Sequence, residues 1–467
     1  MDKIIFINPP ITMRDRFGDL ASAGNNMPFL GLLYLAAMTR EHGYKTKVID
    51  CPAENLTLKK TLTIIRNEKP EYVGITASTL SIHSASELAK YIKKLFPEVT
   101  IILGGPHVSA LPKKTLELFE DIDIGVLCEG EITIIKLLDA LKNNQDLSKI
   151  NGIVYRDNKK IVQTPPRELI KDLDELPLPA FDLVDIKNYS SLAYNINDVP
   201  TASIIASRGC PFRCKFCDRI TFGNKVRRHS NKYILGMMEY LVNRFNIKEL
   251  IIYDDMFTSY KKEVTELCKL IKEKGWDLRW SCNVRVDSID EEMIRLFKDS
   301  GCYQINFGIE SGSRKILNSV NKYIDLIEAR KKIEIAYNAG LRVRGYFIMG
   351  FPEETRETIL ETIKYVKTLK LTDFQLTFLM PFPGSEIYSE AKRKGTFEDN
   401  WRKMSYMHCV YTPPNISKKE LESYINKARR AFYLRPTPII DYLKQIRSLK
   451  DFKKLVRVGL AFLKSQF

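Results

Sequence analysis

The 467-residue chain contains no uninterrupted apolar run near the roughly 18 residues that span a bilayer, so no transmembrane helix is expected. Its apolar segments, such as SIIASRG and YFIMGFP, are short and end in turn residues. The opening MDKIIFINPP lacks a basic n-region, a long apolar h-region and a small-residue cleavage site, which predicts no secretory leader. Internal repeats and low-complexity stretches are also missing. With 44% hydrophobic and 28% charged residues, a collagen-like or wholly disordered chain is excluded. An even, paired cysteine framework is lacking: nine cysteines without a leader point to a reducing, cytoplasmic setting. Acidic charge is in deficit. Against 57 Asp+Glu stand 73 Lys+Arg, a net +16, which suggests an anionic partner such as nucleic acid, a phosphorylated metabolite or a lipid surface.

What is present is a regular alternation of elements, in a chain long enough for two to four domains at roughly 100–200 residues each. KIIFINPP, KTKVIDC, EYVGITAST, VTIILGGPH and DIGVLCEGE read as strands. FLGLLYLAAMTREHG, TLKKTLTIIRNEKP, SIHSASELAKYIKKLFP and ITIIKLLDALKNN read as the intervening helices. This alternation predicts an α/β domain over 1–145, a doubly wound parallel sheet with helices on both faces. Ligands of such sheets sit outside the carboxyl ends of the strands. Those ends carry Asn8, Ser78-Thr79, Gly104-Gly105-Pro106-His107 and Glu129-Gly130-Glu131, turns suited to close backbone approach. Residues 146–200 read as a linker containing a hairpin, NGIVYRDNKKIVQT, and a Pro-x-Pro step. A second series over 201–415 has strands ASIIASRG, ELIIYDD, LRWSCNVR, CYQINFGIE, RVRGYFIMG and FQLTFLMP, which predicts a partial six-unit barrel. Residues 416–467 read as a basic helical region. Positions 429–467 carry ten Lys/Arg against two Asp/Glu.

The strongest signal is Cys210-Pro-Phe-Arg-Cys214-Lys-Phe-Cys217, in a loop after a strand that ends in Arg208-Gly209. Three thiolates at this spacing can wrap one metal centre. The odd count and the compartment argue against a disulfide. Two metal readings stay open on the residues alone. Zinc needs a fourth ligand, for which His229 is available. An iron–sulfur cluster, commonly held by four thiolates, would here keep one iron open for a substrate.

Cys-x3-Cys-x2-Cys after the first strand of a partial barrel resembles the radical S-adenosylmethionine (SAM) superfamily. Further matches follow in order: the aromatic Phe216 before the last cysteine, Asp254-Asp255-Met-Phe257, Gly308-Ile-Glu310-Ser311-Gly312, Met349-Gly350-Phe351-Pro-Glu-Glu-Thr355 and Pro381-Phe-Pro-Gly384-Ser385. The resemblance implies that Cys210, Cys214 and Cys217 hold a [4Fe–4S] cluster whose open iron binds SAM. One-electron cleavage of SAM then gives a 5′-deoxyadenosyl radical that abstracts hydrogen from carbon. It places Phe216, Asp254, Asp255, Gly308, Glu310, Ser311 and Gly350 around SAM, with Glu310 and Ser311 near its ribose and methionine parts. Helix N-capping is the competing reading for the acidic pair.

A doubly wound domain ahead of such a barrel resembles the cobalamin-binding radical SAM subgroup over residues 1 to about 415. The resemblance implies cobalamin between the sheet edge and the barrel mouth, contacted by Asn8, Ser78, Thr79, Gly104, Gly105, Pro106, His107, Glu129, Gly130 and Glu131. One departure is that the chain lacks Asp-x-His-x-x-Gly, the usual source of a cobalt-ligating histidine; His83 and His107 are the nearby candidates, and a loop role suits them better. A domain kept as an empty scaffold is the competing reading.

The expected reaction is C-methylation of an unactivated carbon of a small-molecule or lipid substrate, with an external electron donor such as ferredoxin or flavodoxin. Alternatives are oxidative cyclisation, rearrangement or carbon–carbon coupling without methyl transfer or without cobalamin. A methylthiolation catalyst is disfavoured, since only Cys51 and Cys128 lie in the first domain. The non-enzyme alternative is a metal-stabilised nucleic-acid-binding or scaffold protein. Nucleic acid is the weaker partner, because nothing resembles an RNA-binding module. The basic tail, with bulky apolar residues at helical spacing, suits a peripheral membrane contact or a solvated cap.

Overall fold

A computed structural model describes residues 2–444 except 19, 20, 22, 23, 25, 159 and 190–198, together with 446, 449, 452, 453, 455, 456 and 459. The first sheet has strands β1 (Lys3–Asn8), β2 (Lys45–Asp50), β3 (Tyr72–Thr76), β4 (Thr100–Gly104), β5 (Ile124–Val126), β6 (Ile153–Asp157) and β7 (Lys160–Gln163), in the order β2-β1-β3-β4-β5-β6-β7. The first five are parallel, and each strand's alternate residues feed a different core. Ile4, Phe6 and Ile102 pack with helices Leu30–Glu41 and Glu131–Lys142, while Ile5, Ile7 and Val73 pack with helices Leu58–Glu68 and Ile82–Leu95. Burial on both faces explains the near-continuous apolar runs of these strands. The chain leaves β1 for β2 on one side and reaches β3, β4 and β5 on the other. The β1/β3 boundary is therefore the switch point, where ligands of this architecture bind.

The stretch expected as a linker is corrected by the sheet. Its hairpin pairs antiparallel with β5 and completes the edge as β6 and β7. The reason is backbone satisfaction, because β5 would otherwise present an unpaired row of peptide groups. Beyond the hairpin, Leu173, Phe181, Ile186 and Tyr189 are buried in the core shared by the two sheets. The segment is thus packed structure up to residue 189.

The second sheet contains β8 (Thr201–Ile204), β11 (Glu249–Ile252), β12 (Arg279–Val284), β13 (Cys302–Glu310), β14 (Arg342–Met349) and β15 (Asp373–Phe378), all parallel, in the order β15-β14-β13-β12-β11-β8. Ala202, Ile252, Trp280, Phe307 and Phe347 face the helices. Their neighbours Ser203, Asn283, Asn306 and Arg344 take the opposite side by strand alternation. A small antiparallel pair, β9 (Ser207–Arg208) with β10 (Arg227–Arg228), frames the cysteine loop.

Downstream, β16 (Thr396–Phe397) pairs with β17 (Tyr411–Thr412). Between them Trp401 reaches the first domain and meets the His107 ring edge-on at 4.5 Å. Helix Lys418–Tyr433 buries Leu421, Ile425, Ala428 and Phe432, and Phe432 stands 5.1 Å from Phe374 of β15. The first part of the basic region is therefore a barrel cap. Helix Pro436–Leu443 follows, and most of the remaining basic tail lies outside the described residues. Among the described residues no helix is long and apolar enough to cross a membrane.

Candidate active site

The cysteine loop leaves β9 through Gly209, whose φ is +91° and where a Cβ would lie 2.3 Å from the Lys225 carbonyl. Only glycine makes this turn without moving backbone. All three thiols are free; Cys214 is buried, Cys210 half-buried and Cys217 exposed. Although Cys217 reaches solvent, the protein atoms gathered around its sulfur push its thiol up to about 12, and charge on Asp255, Cys210 and Cys214 adds to the shift. Burial likewise raises Cys210, again with Asp255 and Cys214 contributing. The three sulfurs and Asp255 therefore share one electrostatic environment. Phe216 packs against Phe351 at 5.8 Å, closing one side of the loop.

The zinc reading loses its fourth ligand. His229 is stacked on Tyr233 at 3.9 Å, and its Nδ1 lies 3.2 Å from Asp174 Oδ1. Burial lowers its pKa to about 4, and no cysteine is among the charges acting on it. Among the described residues no three His, Cys, Asp or Glu side chains come together around one metal ion, the cysteine triad included. Three free thiols in one loop are the donor type that holds an iron–sulfur cluster.

The strand-end residues divide into contacts made within the protein and contacts left for a ligand. Asp254 is buried, accepts the Ala206 N–H and the Ser207 hydroxyl at 2.6 Å each, and is lifted by burial to about 7. It is a clamp between strand ends and caps no helix. Asp255 is accessible in the mouth, beside the thiols. Glu310 takes the left-handed region at φ +68° and pairs with buried Lys322 at 3.1 Å; a Cβ on Gly308 would strike its carboxylate. Ser311 Oγ lies 3.0 Å from Thr362 Oγ1. Gly350, at φ +100°, gives its N–H to the Glu354 carboxylate, so that N–H is committed inside the turn.

At the edge of the first sheet, Asn8 Nδ2 donates to Asp50 Oδ1 at 2.9 Å, and Asp50 also accepts the Tyr189 hydroxyl at 3.0 Å. Ser78 is exposed, and its N–H is held by Ser81 Oγ at 2.9 Å. Thr79 Oγ1 lies 3.2 Å from His107 Nδ1. His107 is fully buried, with Nε2 unpartnered, and burial lowers its pKa to about 3. Its ring is taken up by Thr79 and Trp401, a packing role rather than exposure to a metal. Gly105 has φ +99° and would place a Cβ 2.7 Å from the Ala77 carbonyl; Pro106 then opens the short helix Pro106–Ala110. A Cβ on Gly104 would meet nothing.

Glu129 and Glu131 do something the sequence did not disclose. Both are buried. Glu129 accepts Arg208 Nη1 at 3.1 Å, Arg227 Nη1 at 2.9 Å and the Ile170 N–H at 2.9 Å, and Glu131 accepts Arg208 Nη2 at 2.7 Å. Gly130 between them is the N-cap of helix Glu131–Lys142. Arg208 lies two residues before Cys210, so the first domain grips the root of the cysteine loop. Glu129 and Arg208 also line a cavity of about 250 Å³, with Phe6, Gly74 and Gly104 of the first sheet and with Ile205 and Phe222 around the cysteine loop. A backbone rim of glycines and an apolar lining fit part of a large, flat ligand lying across the sheet edge. Position in the chain could have flagged Arg208. Thr362 and Trp401 carry no local signal, since each is defined by a partner distant in sequence.

Residues 204–366 match the radical SAM superfamily and residues 18–138 match the B12 binding domain. An uncharacterized methyltransferase of Pyrococcus horikoshii is 36% identical over 440 residues, 94% of each chain. The chain belongs to the cobalamin-binding radical SAM family. An anaerobic magnesium-protoporphyrin IX monomethyl ester cyclase of Rubrivivax gelatinosus is 26% identical over all of this chain and 83% of its own. The fold is shared with a radical SAM methyltransferase of Kitasatospora setae, TsrM, whose structure holds cobalamin and a [4Fe–4S] cluster. The TM-score is 0.71 at 17% identity, over 96% of this chain and 89% of that one. As a family member the protein is an enzyme that uses SAM, an iron–sulfur cluster and cobalamin, with methylation the main reading and cyclisation a related chemistry. The non-enzyme alternative falls with this assignment.

Proposed function

We propose that Cys210, Cys214 and Cys217 hold the cluster, that the ends of β11, β13 and β14 face SAM, and that the carboxyl edge of the first sheet carries cobalamin. The reaction is C-methylation of an unactivated carbon in a small-molecule or lipid substrate. The observation that carries this reading is the cavity lined by Gly104 and Glu129 from one sheet and Arg208 and Phe222 from the cysteine-loop side. Held there, the cluster and the corrinoid would supply one-electron chemistry and methyl transfer. The chain's own side chains do the remainder. Arg208 fixes the loop against the first domain, and Asp254 holds the backbone at Ala206 and Ser207. Glu354 closes the turn at Gly350, and Phe351 of that turn packs on Phe216 of the cysteine loop. Electrons come from an external donor of the ferredoxin or flavodoxin class.

A peripheral membrane contact is proposed for helix Pro436–Leu443 and its flanks, where Leu434, Ile439, Ile440 and Leu443 are exposed and exposed Lys444 follows. Apolar side chains rimmed by cations suit an anionic lipid surface.

The test is anaerobic purification from cells that take up cobalamin, with iron, sulfide and corrinoid counted per chain. About four irons and one corrinoid are expected, with label moving from methyl-labelled SAM to product. Cys214→Ala is expected to lose nearly all iron and all turnover. Full iron in Cys214→Ala, or no corrinoid after reconstitution, would overturn the assignment. A product that gains no label but closes a ring would move the chemistry to the cyclase type.

A further inference from the structure

The strand end that follows β12 puts a cation against the cysteine loop. Arg285 is buried, with its Nη1 3.9 Å from Cys214 Sγ. Its guanidinium carbon stands 3.7 Å from the centre of the Phe212 ring, which belongs to the same loop. Its Nε and Nη2 reach the two oxygens of Asp287 at 3.0 and 2.7 Å. Three separate contacts therefore fix one rigid fork. Asp287 takes one edge, Phe212 takes the face, and Nη1 is left directed at the sulfur.

We propose that Arg285 is a positioning and tuning residue that donates an N–H to the Cys214 thiolate and raises the reduction potential of the cluster. The inference rests on the cysteine loop holding that cluster. Reduction adds one electron, delivered by the external one-electron donor, and no proton or leaving group moves. The thiolate-bound cluster becomes more anionic. A buried cation and an N–H directed at a coordinating sulfur favour that state over the oxidised one. Lysine would keep the charge but lose the planar stack on Phe212 and the second edge held by Asp287. Methionine would fill similar space without charge or donor.

The experiment is a potentiometric titration of the anaerobically reconstituted full-length protein without SAM, followed by the EPR signal of the reduced cluster. Wild type, Arg285→Met, Arg285→Lys and Asp287→Asn are compared at equal iron and sulfide content. The expected result is a midpoint shifted to lower potential in Arg285→Met, an intermediate value in Arg285→Lys, and a smaller shift of the same sign in Asp287→Asn. An unchanged midpoint in a fully loaded Arg285→Met overturns the proposal, as does a SAM-affinity defect without a midpoint shift. Loss of iron from both Arg285 variants also overturns it, by making the residue a support of the loop. A wild-type chain that takes up no cluster would instead sink the cysteine-loop reading, so the two failures are distinguishable.

Discussion

Glu354 shows how a single buried carboxyl can tie a strand end to pH. Burial lifts it to about 7, although the N–H groups of Gly350 and Phe351 pull it down. In the unfolded chain a glutamate titrates near ~4.3. Between these values the folded chain keeps a proton that the unfolded chain has lost, so its contribution to stability is full below about pH 4 and fades as pH rises to about 7. Glu354→Gln removes this dependence. Urea unfolding at pH 5 and pH 7.5 should show the wild-type advantage over the variant shrinking by roughly 1–3 kcal/mol toward the higher pH. A constant difference would mean that the carboxyl is ionised in both states. Glu354 stands in a motif visible in the sequence, yet its role comes from the backbone N–H groups it turns back to meet. The same distinction runs through the site. The cysteine triad was legible because its donors lie within eight residues of one loop. Glu129 and Glu131 were legible as strand-end residues and, by resemblance, as cobalamin contacts; their pairing with Arg208 was not, because that residue is nearly eighty positions away.

Among the elements, the parallel strands and their helices were legible because burial on alternate faces writes itself into apolar runs and amphipathic repeats. The β6–β7 hairpin was legible as a hairpin but not as a sheet edge, since pairing with β5 depends on a partner outside the local pattern. The basic region divides in a way that composition alone conceals. Helix Lys418–Tyr433 turns one stripe into the barrel, and Tyr433 donates to Asp373 at 2.8 Å, whereas helix Pro436–Leu443 buries only Pro438. Ile439, Ile440 and Leu443 are left about half exposed, at 46%, 48% and 52%. If this face rests on lipid, Ile440→Asp with Leu443→Asp should cut co-sedimentation with phosphatidylserine-containing vesicles several-fold. Binding to neutral vesicles should be weak for both proteins, because each Lys or Arg contributes about 1 kcal/mol only at an anionic surface. Equal sedimentation of variant and parent would make the helix a solvated cap.

At the scale of the whole molecule, the two sheets are joined by more than a continuous apolar core. Arg208 is 2% exposed and bound to two carboxylates that are also almost inaccessible, while its guanidinium lies 5.2 Å from the ring centres of Tyr34 and of Phe222. Burying such charges is costly, and the network tolerates it only while every partner is present. The consequence is an all-or-none joint. Either the sheet edge and the cysteine loop are registered, or Glu131 is left without its cation and Glu129 keeps only Arg227 and the Ile170 N–H. Arg208→Met should therefore destabilise the protein by about 3–5 kcal/mol. Adding Glu129→Gln and Glu131→Met should recover part of that loss, because the carboxylates that faced Arg208 go with it, while Arg227, 12% exposed, keeps an amide oxygen in place of the Glu129 carboxylate. Urea unfolding of the single and triple variants measures both steps. Recovery of stability in the triple variant, with corrinoid binding followed by visible absorption, then separates two roles of the joint. Corrinoid binding retained beside a misplaced cluster loop, seen as altered EPR of the reduced cluster, would make the ion pairs a registration device between the sheets. Corrinoid binding lost along with it would make Glu129 and Glu131 part of the cobalamin surface itself. Stability that stays low in the triple variant would instead place the cost in packing around Tyr34 and Phe222 rather than in unmatched charge.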